Sequence, residues 1–140
     1  MKKTLVLAPF LLFVGCSDNA QVTLYDKSLK QEKIECLELK VTSKNEVIAK
    51  TLKQLYHFKN GCHYKLVATD KSHIVCNSNQ NAPLKATSNF PSAFLNLSIY
   101  KRGSLAFSYY VDLTHKVEAK DVQKGFKRVT KELNIVGNNK

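Results

Sequence analysis

Apolar and polar residues alternate along this chain in short stretches of two kinds, one with the period of a strand and one with the period of a helix. Val22 to Tyr25 reads as a first strand, and Asp26 to Gln31 as a polar turn. From Ile34 to Val41 the chain reads IECLELKV, where Leu37, Leu39 and Val41 alternate with Glu38 and Lys40, a second strand. A helix is expected from Glu46 to Phe58. Ile48, Leu52, Leu55 and Tyr56 share one face, Lys50, Lys53 and Gln54 lie opposite, and Ser43-Lys44-Asn45 supplies an N-cap. Asn60-Gly61 is a suitable stop. The clearest hairpin joins Phe94–Tyr100 to Leu105–Leu113 through Lys101-Arg102-Gly103-Ser104. A last helix is expected from Glu118 to Leu133, with Val122, Phe126, Val129 and Leu133 as its apolar stripe.

Residues 62–76 read CHYKLVATDKSHIVC, which we expect to fold as a hairpin turning near Thr69-Asp70-Lys71. Its two cysteines flank the turn at comparable distances along the chain, so a Cys62–Cys76 disulfide is expected, the alternative being Cys36 paired with one of the two. Residues 77–91, rich in Asn, Ser and Pro, read as a loop. The order is strand, strand, helix, hairpin, hairpin, helix. That order predicts an α+β fold: a small antiparallel sheet with two helices packed on one face.

The N-terminus does not belong to that domain. Lys2 and Lys3 precede TLVLAPFLLFV, residues 4–14, an uncharged apolar run of 11 residues. A bilayer span needs about 20 residues, so the run has the length of a signal-peptide core instead. It ends at Gly15-Cys16 and turns polar at Ser17-Asp18-Asn19. Phe13-Val14-Gly15-Cys16 resembles the lipobox of bacterial lipoproteins, with Phe13 standing where Leu is usual. The resemblance covers about the first 18 residues. It implies a diacylglycerol thioether on Cys16, cleavage before that residue and acylation of the new amine. Ser17 implies an outer-membrane destination. The expected organisation is therefore a signal peptide at 1–15, a lipidated tether at 16–20, one domain at 21–136 and a frayed tail at 137–140. In architecture alone, the domain is similar to small envelope-assembly lipoproteins, such as the lipopolysaccharide-assembly accessory family. No motif residue transfers from it.

Export changes how the charge is read. Without Lys2 and Lys3 the chain keeps 20 basic residues against 11 acidic ones, a formal charge of +9, and only Arg102 and Arg128 are arginines. For an exported chain the accessible polyanions are envelope lipids and polysaccharides rather than nucleic acid. Lys101, Arg102, Lys124, Lys127, Arg128 and Lys131 are the candidate contacts, set against the plainer reading of a solvated lysine-rich surface. An oxidising compartment also favours pairing two of Cys36, Cys62 and Cys76.

Catalytic signatures are missing from the sequence: there is no G-x-S-x-G, no H-E-x-x-H and no glycine-rich phosphate loop. His57, Cys62, His63, His73 and Cys76 suggest a metal site, yet Cys62 and His63 would point to opposite faces of a strand. No cofactor is expected. Asn96-Leu97-Ser98 has the glycosylation spacing but reads as strand. Tyr109-Tyr110 puts a ring on each face of the last strand, and Tyr100 with Tyr110 could form an aromatic partner patch. The leading expectation is a non-catalytic envelope lipoprotein, anchored in the outer membrane facing the periplasm, that binds another envelope component. The alternatives are a surface adhesin or inhibitor of a host protein, and a metal or redox lipoprotein.

Overall fold

The computed structural model describes residues 19–74 and 91–137. Its elements are β1 (Ala20–Leu24), a short 3₁₀ turn (Lys27–Lys30), β2 (Leu37–Val41), α1 (Glu46–Leu55), β3 (Tyr64–Lys71), β4 (Ala93–Lys101), β5 (Ser104–Leu113) and α2 (Ala119–Glu132). The strands form one five-stranded sheet in the order β1-β5-β4-β3-β2. This is the expected α+β fold, with both helices on one face, and a refinement of it. β2 joins β3 in parallel, so the sheet is mixed rather than wholly antiparallel. A parallel pair needs a crossover, which α1 supplies.

The alternation along each strand decides which face is covered. Leu66 and Ala68 on β3, Leu95, Leu97 and Ile99 on β4, and Phe107 and Tyr109 on β5 are buried. Against them pack Ile48 and Leu52 from α1 and Val122, Phe126, Val129 and Leu133 from α2, so the predicted stripe of α2 is the buried one. Burial of each large side chain contributes about 1.5–3 kcal/mol. Gly125 lets α2 approach closely: a Cβ there would lie 2.8 Å from Tyr109 Cε1 and 3.1 Å from Leu97 Cδ1.

Asn45 caps α1 as expected, accepting the Val47 N–H at 3.2 Å, and its side-chain amide also donates to the Val117 carbonyl at 3.0 Å. The helix stops at Leu55, three residues short of the predicted Phe58. Tyr56 becomes extended, and its ring meets Phe58 at 5.0 Å and Phe126 at 6.1 Å. A three-ring cluster outweighs one more turn of helix.

Two expectations for residues 62–76 are corrected. Tyr64–Lys71 is one unbroken strand, with Thr69, Asp70 and Lys71 paired to Asn96, Leu95 and Phe94, so no hairpin turns there. Val67 and Ala68 on β3 find partners on both β2 and β4, and a central strand satisfies more backbone groups than an isolated hairpin. Cys62 is bonded to Cys36, the alternative pairing, rather than to Cys76, with Cα atoms 5.4 Å apart. Each cysteine lies just before one of the paired strands β2 and β3, which brings them side by side. Cys76 lies outside the described residues.

Candidate functional site

The face of the sheet opposite the helices carries the alternate residues: Glu38 and Lys40 on β2, Lys65 and Val67 on β3, Ser98 and Tyr100 on β4. Their positions follow from register, which pairs Glu38 with Lys65, Lys40 with Val67, and Lys65 with Tyr100. Toward the β4–β5 turn this face holds a cleft of 530 Å³, lined by Lys40, Lys65, Val67, Tyr100, Arg102 and Cys62 among others. That volume lies in the range of small-ligand sites.

Charge in the cleft is mostly positive. Lys65 pairs with Glu38 at 3.1 Å. The hydrogen bond from Lys65 holds the Glu38 carboxyl below its ordinary pKa, and the Gly61 N–H donates to the same carboxylate at 3.2 Å. Among the described residues, Lys40 and Arg102 have no carboxylate within ion-pair distance. Arg102 sits at φ 48° and Gly103 at φ 84°, the paired left-handed conformations of a type I′ hairpin turn. Glycine tolerates this and arginine does not favour it. The Arg102 N–H donates to the His63 carbonyl at 2.8 Å, which fixes the turn against the start of β3.

Lys101, next in the chain, points elsewhere. Its ammonium reaches Glu32 at 2.5 Å and Asp26 at 3.4 Å, tying the 3₁₀ segment to the hairpin. The Tyr64 hydroxyl donates to the same Glu32 carboxylate. Hydrogen bonds from Lys101 and Tyr64 lower the Glu32 pKa; those from the Ser28 hydroxyl and backbone lower that of Asp26. The Glu32 bond in turn raises Lys101. Lys101 is thus a structural tie.

The six expected polyanion contacts do not share one surface. Arg102 lines the cleft on the uncovered face. Lys124, Lys127, Arg128 and Lys131 are exposed on α2, whose buried side packs on the opposite face. Arg128 pairs with Glu132 at 3.0 Å. The histidines do not converge either. His63 precedes and His73 follows the eight-residue strand β3, whose length is about 26 Å at ~3.3 Å per residue. With Cys62 in a disulfide, the set His57, Cys62, His63, His73 and Cys76 is not assembled among the described residues. His115, Glu118 and Asp121 do lie together, and their purpose is visible: the Asp121 carboxylate accepts the Glu118 N–H at 2.8 Å and contacts His115 at 3.0 Å, a capping box for α2.

Tyr109 is buried against α2, while Tyr110 lies half-buried on the uncovered face against Phe94, with ring centroids 5.3 Å apart. Tyr100 shares that face, but its strand position is four residues from Asn96, the partner of Tyr110, or about 13 Å. The two tyrosines belong to separate patches. Asn96 lies in β4, where Ser98 donates to its side-chain oxygen at 2.7 Å. Cys16 lies outside the described residues. Lys40 and Lys65 are site residues that sequence reasoning missed. Extending the alternation of Leu37, Leu39 and Val41 across an unbroken β3 would have found them. Comparison with known families, curated proteins and solved structures returns no match for this chain.

Proposed function

We propose that the protein is a lipid-anchored, non-catalytic domain of the bacterial envelope that binds another envelope component. The observation that carries this reading is the N-terminal segment: two lysines, an apolar run of 11 residues and Gly15-Cys16, followed almost at once by folded domain. β1 begins at Ala20, four residues after Cys16, so the tether reaches at most about 14 Å. An acyl group on Cys16 would therefore hold the domain close to the bilayer. Two or more acyl chains give stable attachment, since each buried CH₂ contributes about 0.8 kcal/mol. Among the described residues no helix is long and apolar enough to cross a membrane.

The short tether also suggests an orientation. Ala20 pairs with Val111, near the end of β5 that neighbours Ala93 and Lys71. The Arg102-Gly103 turn lies at the other end of β4, roughly 23 Å along the strand from Leu95, the partner of Val111. A partner would meet that far end. We assign the outer membrane, with the domain facing the periplasm, from Ser17 and the lipobox resemblance. Growth of producing cells with radiolabelled palmitate tests the anchor. The chain should take up label, and Cys16→Ser should not. An unlabelled wild-type chain sinks the proposal.

A further inference from the structure

We propose that the cleft beside Tyr100 binds a phosphate-bearing sugar, with Lys40, Lys65 and Arg102 around the phosphate and Tyr100 and Val67 under the ring. The inference deepens the reading above by naming the ligand class, and rests on it for the source of such a ligand and for the cleft's distance from the bilayer. Binding itself is read without the anchor.

Lys40 and Lys65 lie on neighbouring strands, two residues apart in register, on the same face. Lys65 is paired with Glu38 at 3.1 Å, and Lys40 stands beside that pair with no carboxylate within ion-pair distance among the described residues, so the group keeps a net positive charge that an anion would neutralise. Arg102 adds a third cation at the rim and has no carboxylate partner among the described residues. Lysine acts on phosphate as a point charge and arginine as a fork, and the cleft offers both.

A type I′ turn favours Asn or Gly at its first central position, yet Arg102 occupies it at φ 48°. A side chain held in an unfavourable conformation points to a use for that side chain. Held by its bond to His63, the turn keeps Arg102 at the cleft mouth.

Tyr100 and Val67 are half-buried and give the cleft an apolar floor. Glu38 stands in the same row as Lys65 and Tyr100, ionised and held by Lys65 and the Gly61 N–H. That carboxylate sets a hydrogen-bond acceptor beside the cations, which a bare polyanion cannot use. A sugar would instead donate a hydroxyl to it while its phosphate meets the cations.

The test is titration of the full chain, in non-ionic detergent, with glucose 1-phosphate, followed by amide chemical shifts and calorimetry. Glucose, inorganic phosphate and phosphatidylglycerol vesicles serve as comparison probes. The proposal expects saturable glucose 1-phosphate binding that shifts Lys65, Val67, Tyr100 and Arg102, with weaker phosphate binding and no glucose binding. Arg102→Asn should weaken it at least tenfold while the melting temperature holds or rises, because Asn suits the turn. Lys65→Gln should weaken it similarly. Absence of glucose 1-phosphate binding overturns the proposal, as does equal binding by the Arg102→Asn chain. Binding to vesicles alone also overturns it and makes the basic face a lipid contact. The palmitate experiment fails or succeeds independently of all these outcomes.

Discussion

Replacing Cys36 with serine opens the covalent link between the residues just ahead of β2 and β3. The bond closes a loop with a sequence separation of 26 residues, containing all of β2 and α1. For a loop of that size the chain-entropy relation gives about 3.5 kcal/mol of stabilisation, through restriction of the unfolded chain. Both cysteines are only partly buried, so lost packing adds little. With a urea slope of roughly 1.5 kcal/mol/M for a domain of this size, the midpoint should fall by about 2 M. The assay is equilibrium urea unfolding followed by circular dichroism, with Cys36→Ser and Cys76→Ser compared against the unaltered chain. Cys36→Ser should shift the midpoint and become insensitive to reductant; Cys76→Ser should do neither. The reasoning is refuted if Cys76→Ser loses the stability and Cys36→Ser keeps it, because the bond would then close the 62–76 segment.

Three further expectations can be checked with the same material. The Asp26 and Glu32 carboxyls are held below their ordinary values, so their contribution is complete above about pH 5 and lost as pH falls through the lowered values; the raised Lys101 contributes fully below about pH 10 and is lost as pH rises through its own value. Melting temperature against pH should therefore drop on the acid side, and Glu32→Gln should flatten that drop; an unchanged acid limb would show that the tie does not matter. Gly125→Ala should gain about 1 kcal/mol of helix propensity yet lose more to contact with Tyr109, because overpacking a core costs about 1–3 kcal/mol. A net loss near 1 kcal/mol is expected, and a more stable variant would mean that the Tyr109 ring yields freely. In the Arg102→Asn chain, stability and ligand affinity should move in opposite directions, or affinity should fall alone; parallel loss of both would mark Arg102 as structural.

Most of the layer architecture was legible because it rests on local patterns. The β4–β5 hairpin combines alternation with Arg102-Gly103, and α2 carries its stripe at Val122, Phe126, Val129 and Leu133 with nothing to compete. What failed was non-local. Thr69-Asp70-Lys71 has turn composition, but partners on β4 draw it straight. The flanking of that supposed turn by Cys62 and Cys76 then suggested the wrong bond. Cys36 reaches Cys62 only through the parallel β2–β3 pairing, which no local signal announces. The cleft was missed for the same reason. Its three cations come from β2, β3 and the β4–β5 turn, and they meet only once the register is known.

The bridge between Ile34 and Ile135 bears on the order in which the chain can mature. Ile34 donates to the Asn134 carbonyl at 2.9 Å and accepts from the Val136 N–H at 2.8 Å, and β1 is bonded to β5. The earliest segments of the domain to emerge during synthesis thus find their partners among the last. A chain with only its first hundred or so residues released has no β5 for β1 and no strap for Ile34, and closing such distant contacts is what slows folding. The sheet is therefore complete only when β5 and the segment after α2 are both present, and until then β1 and Ile34 lack their partners.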